Sequence, residues 1–119
     1  MQDLPVYLAI AGFLAMGIGA LLKPRLVTAQ FDIPELSAAG RNEVRAVYGG
    51  FGVMIAVVLG LALQQPTMRA GVLVAVAAAL AGLAAGRVVS AVIDRRFDAW
   101  PLRYLVLEAV VATMLVWAA

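Results

Sequence analysis

The stretch AGVLVAVAAALAGLAAGRVVSAVI, residues 70–93, decides the fold, because it is a long apolar run with a single charged residue, Arg87. A helix needs about 20 predominantly apolar residues to cross the hydrocarbon core of a membrane, and this run is long enough. A fixed charge is costly inside such a run, so it calls for a partner of opposite charge. The stretch therefore predicts a transmembrane helix that carries a polar site.

Comparable apolar runs lie on both sides of this stretch. We predict an all-α integral membrane four-helix bundle, one transmembrane domain over residues 1–119, with helices at about 4–22, 44–63, 70–93 and 102–118. Lys23 and Arg25 follow the first run and no basic residue precedes it, which is the reverse of a secretory signal. We therefore expect the first helix to be retained. Asn42 and Asp98 are suitable N-caps for the second and fourth helices.

The composition excludes several kinds of function. The chain is 65% hydrophobic and 13% charged, whereas soluble domains are roughly half apolar and about a quarter charged. It has no Cys and no His, so it offers no disulfide and no ligand for thiolate- or imidazole-bound metals, and we expect no metal and no cofactor. No nucleophile–base pair is visible, so a membrane enzyme remains an open alternative but the least supported one. The net charge of +2 is better explained by membrane orientation than by a nucleic-acid partner.

The basic residues favour one membrane orientation. They concentrate in the linkers at residues 23–43 and 94–101, and two crossings separate these linkers, so both lie on the same side. The turn on the other side holds only Arg69. Basic residues near helix ends favour the cytoplasm. We therefore expect a bacterial inner (cytoplasmic) membrane protein with both linkers cytoplasmic and both termini outside.

Small residues recur at spacings of three and four along the helices, which places them on one face of each helix and lets backbones approach closely. The predicted small-residue faces are Ala11, Ala15 and Gly19 on the first helix, Gly49, Gly52, Ala56 and Gly60 on the second, and Ala78, Gly82 and Gly86 on the third. They predict packing into a homo-oligomer or into a larger membrane-protein complex, as an accessory subunit without evident catalytic machinery.

Arg87 has a plausible partner in Glu108. Each residue lies roughly 10 Å inside its helix from the 94–101 linker, so the two side chains reach similar depths on neighbouring helices. Trp100 and Tyr104 lie on the Glu108 face at helical spacing. Other polar residues are expected at the same level. The candidate polar cluster is Arg45, Tyr48, Arg87, Ser90 and Glu108.

Two interpretations of this cluster remain open. In the structural one, Arg87 and Glu108 form a buried pair that fixes helix register, because a single pair can explain itself. In the functional one, the cluster binds or carries a lipid or a small amphipathic anion in the cytoplasmic leaflet, because ionisable residues inside a membrane are functional candidates by default. Membrane lipids are expected partners in either case.

Several motifs resemble a known family. They are Lys23-Pro24-Arg25, the stretch NEVRAVYGG at residues 42–50, GRVVS at residues 86–90, and Leu107-Glu108. Together they are similar to the small bacterial membrane proteins called domain of unknown function 4345. The resemblance covers nearly the whole chain. It implies a four-helix integral membrane protein and no established activity.

Overall fold

A computed structural model describes residues 2–119, and that part of the chain is helical without any strand. The helices are α1 (Leu4–Leu22), α2 (Arg25–Thr28), α3 (Ala38–Gln64), α4 (Pro66–Asp94) and α5 (Ala99–Ala118). A short 3₁₀ turn, Ala29–Phe31, follows α2. α1, α3, α4 and α5 are each long and apolar enough to cross a membrane. The all-α class is confirmed, and the chain is a multi-pass membrane protein.

The helix bounds differ from the prediction at three starts. α1 has the predicted bounds, but α3 begins at Ala38, because Ser37 rather than Asn42 is its N-cap and accepts a hydrogen bond from the Gly40 N–H at 3.1 Å. α4 begins at Pro66, where the missing proline N–H costs no hydrogen bond. α5 begins at Ala99. These starts lie outside the apolar runs, so hydropathy alone does not locate them.

α3 contains a π-helical segment, Arg45–Gly50. A π-turn takes in one residue more than an α-turn, so the segment changes which residues share a face before and after it. Such segments are rare overall, and those that do occur often lie at functional sites. Here the segment coincides with the Arg45, Tyr48, Gly49 and Gly50 positions of the NEVRAVYGG motif.

The described residues form two compact units, Tyr7–Leu61 and residues 2–6 with 62–119, and the single domain predicted for 1–119 stays a prediction. In the first unit, α1 and α3 meet at glycines. A Cβ on Gly17 would lie 2.8 Å from the Val53 backbone nitrogen, and a Cβ on Gly52 would lie 3.2 Å from the Gly17 Cα. Real Cβ atoms hardly ever come so close, so this approach of the two backbones needs glycine.

In the second unit, α4 and α5 pack along a face of α4 that is mostly aliphatic. The buried apolar residues of the two helices are Leu73, Val76, Ala77, Leu80 and Ala84 on α4, and Ala112, Leu115 and Ala118 on α5. Arg69, near the start of α4, connects this helix to the residues before α1 and to the end of α5. Its guanidinium donates to the Asp3 carboxylate at 2.6 Å, to the Ala118 carbonyl at 3.2 Å and to the Gln2 carbonyl at 3.3 Å. The last turn of α5 thereby gains a donor for an otherwise unpaired carbonyl.

The predicted small-residue faces fare differently on each helix. On α3, Gly49, Gly52 and Ala56 are buried. On α1, Ala11 and Ala15 are exposed and the close approach to α3 is made by Gly17, so the predicted face is not the one that meets α3. On α4, Ala78, Gly82 and Gly86 are all exposed.

Candidate functional site

The Arg87–Glu108 pair is present and bidentate. Nε of Arg87 donates to Oε2 of Glu108 at 2.8 Å, and Nη2 donates to Oε1 at 2.6 Å. α4 and α5 are consecutive helices joined by a short connection, which is why residues equidistant from that connection meet. Two parallel N–H···O bonds fix both the distance and the orientation of the partners.

The pair is mostly withdrawn from the surface. Glu108 is 6% exposed, and the Arg87 side chain is 23% exposed. Separating two such charges would leave each without its counter-charge in an apolar surrounding, which costs several kcal/mol (about 3–5) for buried pairs. Both Glu108 oxygens accept from Arg87, and within residues 2–119 no buried side-chain nitrogen or oxygen lacks a hydrogen-bond partner.

Aromatic rings extend the pair towards the start of α5. The Arg87 guanidinium carbon lies 5.3 Å from the Tyr104 ring centroid, a cation–π distance. The Tyr104 and Trp100 centroids are 6.2 Å apart, and Arg103 lies over the Trp100 ring at 4.7 Å. The i, i+4 spacing of Trp100, Tyr104 and Glu108 produces this row of side chains. Tyr104 thus belongs to the site, although the candidate set omitted it.

The other candidate residues have separate surroundings. Ser90 is exposed one turn beyond Arg87, and no hydrogen bond among residues 2–119 joins it to the pair. Arg45 lies in the Tyr7–Leu61 unit, where its Nε donates to the Leu21 carbonyl at 3.0 Å. Tyr48 lies in the same unit and is 39% exposed. A single five-residue cluster therefore stays a prediction.

Arg45 satisfies the C-terminal end of α1. The last carbonyls of a helix have no intrahelical donor and carry partial negative charge, so a guanidinium there is favourable. We did not predict this contact from the sequence, because the 24 residues that separate Arg45 from Leu21 give no local signal.

A second polar feature lies where α4 ends. A groove of about 400 Å³ is lined by Val88, Ala91, Val92, Arg95, Arg96 and Phe97. Arg95 adopts a left-handed conformation, φ 51° and ψ 39°, and Arg96 donates from Nε to the Asp98 carboxylate at 2.6 Å. Asp98 is the N-cap position of α5, as predicted, but its side chain caps no backbone N–H there.

The side chains around the Arg87–Glu108 pair can be assessed for metal binding and for free charge. Among residues 2–119, no three acidic side chains are grouped so as to hold a metal ion. Arg87 and Glu108 neutralise each other, so what the pair can do is hold α4 and α5 in one register and carry the Tyr104 ring beside the charge.

Comparison with known proteins identifies the family. Neither the curated proteins nor the solved structures give a match. The family model described as "Domain of unknown function (DUF4345)" matches residues 3–119, essentially the whole chain. The match includes α1, the NEVRAVYGG segment and both residues of the Arg87–Glu108 pair. The chain therefore belongs to the DUF4345 family.

Proposed function

We propose that this membrane protein functions by helix association and that it pairs with a second copy of itself through one face of α4. No catalytic group is required for this role. Residues of one stripe carry the proposal. The open face of α4 is Gly71, Ala75, Ala78, Gly82 and Gly86.

The open face has the composition and accessibility of a helix-pairing surface. Its residues are all exposed, and a Cβ built on Gly71, Gly82 or Gly86 would meet nothing of residues 2–119 within 4 Å outside its own helix. The spacings of three and four keep the stripe narrow over about 22 Å, most of the thickness of the hydrocarbon core. This is the single observation on which the proposal rests.

Small residues let two helices associate in a membrane by close backbone contact. Lipid tails are as apolar as leucine, so helices associate in membranes through close packing rather than through the hydrophobic effect. A stripe without large side chains allows another backbone to come near. The crossing of Gly17 and Gly52 supports the argument, because this chain already uses glycine for such an approach between α1 and α3.

A second copy suits the open face because the stripe carries no charge and can pair with itself. Two identical stripes related by a two-fold axis form a closed, isologous contact. A shallow groove of about 380 Å³ between α4 and α5, which includes Ala78 and Ala81, borders the stripe and adds room for an approaching helix. In this proposal the Arg87–Glu108 pair is structural, since it fixes α5 against α4.

The proposal is tested by the oligomeric state of the full chain in lipid nanodiscs or mild detergent. Gly82→Leu places a large side chain on the open face, so we expect the dimer to dissociate while the monomer stays folded. Leu83→Phe is the matched control, because it enlarges an exposed side chain at the same depth but about 100° round the helix from Gly82. A wild-type protein that is monomeric at every protein-to-lipid and protein-to-detergent ratio would contradict the proposal.

A second candidate function is the binding of a lipid or small amphipathic anion by Arg45, Tyr48, Arg87, Ser90 and Glu108. Arg45 favours it, because its one hydrogen bond within residues 2–119 uses Nε and leaves both terminal nitrogens available. Arg87 favours it less, because two of its nitrogens already hold Glu108. Loss of bound anionic lipid in Arg45→Gln, but not in Arg25→Gln, would support this candidate over helix association alone.

A further inference from the structure

The end of α4 turns back sharply at Arg95. The backbone N–H groups of Arg95 and Arg96 both donate to the Ala91 carbonyl, the latter at 3.2 Å, which closes the helix in a Schellman-like turn. The turn carries Phe97 to the side of α4 where Val88 and Val92 lie, and the three side chains border the groove. The groove thus has apolar walls, with arginines where the helix ends.

Two arginines, Arg95 and Arg96, line the groove. Glycine is the usual residue at the left-handed position that ends a helix, so the arginine there brings a charge at some conformational cost. No carboxylate of residues 2–119 forms a salt bridge with Arg95. Arg96 pairs with Asp98, but the two side chains are 73% and 50% exposed, and such exposed pairs contribute little.

Arg95 is the charge at the groove that no salt bridge within residues 2–119 matches. Asp94 and Asp98 are the acidic residues beside it, and Asp98 pairs with Arg96. Arg87 is matched by Glu108 from α5, and Arg103 lies over Trp100. Basic residues directly beyond a transmembrane helix attract anionic lipid headgroups, at roughly 1 kcal/mol for each residue, or about fivefold in affinity.

We propose that this groove binds one anionic phospholipid, with the phosphate between Arg95 and Arg96 and an acyl chain against Val88, Val92 and Phe97. The apolar lining favours a phospholipid over a free phosphate. Val88 is 45% exposed and Val92 is 71% exposed, so an acyl chain gains contacts there that a free phosphate cannot make. The site uses neither the open face of α4 nor Arg45, so it stands independently of both functions proposed above.

The experiment uses the full chain in nanodiscs with equal amounts of phosphatidylglycerol and phosphatidylcholine, and native mass spectrometry counts the retained lipids. We expect wild type to retain phosphatidylglycerol preferentially. Arg95→Gly should weaken retention about fivefold, and Arg95→Gly with Arg96→Gln about 25-fold. Arg103→Gln is the matched control, because it removes a charge from the same end of the unit outside the groove, and it should leave retention unchanged.

Two further measurements separate loss of lipid binding from loss of folding, and the effect of charge from the effect of groove shape. Arg95→Gly suits the left-handed backbone, so its thermal stability should be at least that of wild type, and lost lipid cannot be ascribed to unfolding. Ala91→Trp fills the groove without changing charge, and it should also lower phosphatidylglycerol retention. Equal retention in the double variant and in Arg103→Gln would overturn the proposal. So would displacement of the lipid by inorganic phosphate together with normal retention in Ala91→Trp.

Discussion

Arg87 on α4 and Glu108 on α5 are joined by two hydrogen bonds of 2.8 and 2.6 Å, although both residues lie inside apolar runs. The contact neutralises a charge that lipid would otherwise oppose, and it fixes the register of two helices that are otherwise held mainly by aliphatic packing. The ring of Tyr104 lies at cation–π distance from the guanidinium, 5.3 Å from its carbon to the ring centroid. A fixed α4–α5 unit leaves the open face of α4 accessible.

Charge reversal tests whether the pair is a stabilising contact. Arg87→Glu and Glu108→Arg each place two like charges side by side, so we expect each to lower the free energy of unfolding by about 3–5 kcal/mol. The double swap restores opposite charges and should recover part of the loss, as measured by thermal unfolding in detergent. A double variant no more stable than either single variant would show that the pair contributes no specific interaction.

The glycine crossing of α1 and α3 predicts contrasting effects of the same substitution. Gly17→Ala forces a Cβ against the backbone of Val53, and we expect it to destabilise the protein by about 1–3 kcal/mol. Gly12→Ala is the control on the same helix, since no atom of residues 2–119 outside that helix lies within 4 Å of its new Cβ. It should be neutral or stabilising by up to about 1 kcal/mol, because alanine is the better helix former. Equal thermal stabilities of the two variants would refute the close crossing.

The left-handed position at the end of α4 predicts a stabilising substitution. Arg95→Gly removes the steric conflict between a Cβ and the following carbonyl, and we expect a gain of about 1 kcal/mol in the free energy of unfolding. Asp32 has a similar φ of 57°, but aspartate tolerates this region better, so Asp32→Gly should gain less. The comparison is made by thermal unfolding of both variants, and a destabilised Arg95→Gly would argue against the left-handed turn.

The orientation expected from the basic residues is tested with single cysteines, because the chain has none of its own. We expect Gln65→Cys to react with a membrane-impermeant thiol reagent added outside cells, and Arg96→Cys to react only after permeabilisation. The two positions lie at opposite ends of α4, so each controls for the expression and reactivity of the other. The reverse labelling pattern would invert the topology.

Much of the fold follows from hydropathy, whereas the contacts at the helix ends do not. The four apolar runs predict the four long helices, and the equal distances of Arg87 and Glu108 from their linker predict the pair. The start of α3 depends on the Ser37 cap, which lies in a polar segment that hydropathy does not distinguish. The Arg45–Leu21 contact depends on the path of the chain after α1, which no local pattern encodes.

The packing faces of the helices were also only partly predictable from the sequence. Spacing identifies which small residues share a stripe, but it does not say which stripe meets a neighbour. On α1 the packed glycine is Gly17 rather than Gly19, and on α4 the stripe of Gly82 is left open. Both outcomes depend on where the adjacent helix lies. The groove at Arg95 likewise exists only because the backbone reverses there.

Self-association through the open face of α4 is tested most directly by disulfide formation between copies in native membranes. A two-fold contact brings identical residues together, so Ala78→Cys and Gly82→Cys should each give a dimer on mild oxidation, and exposed Leu83→Cys beside them should not. Dimers from Leu83→Cys but not from Gly82→Cys, or a Gly82→Cys adduct with another membrane protein only, would contradict pairing of this chain with itself.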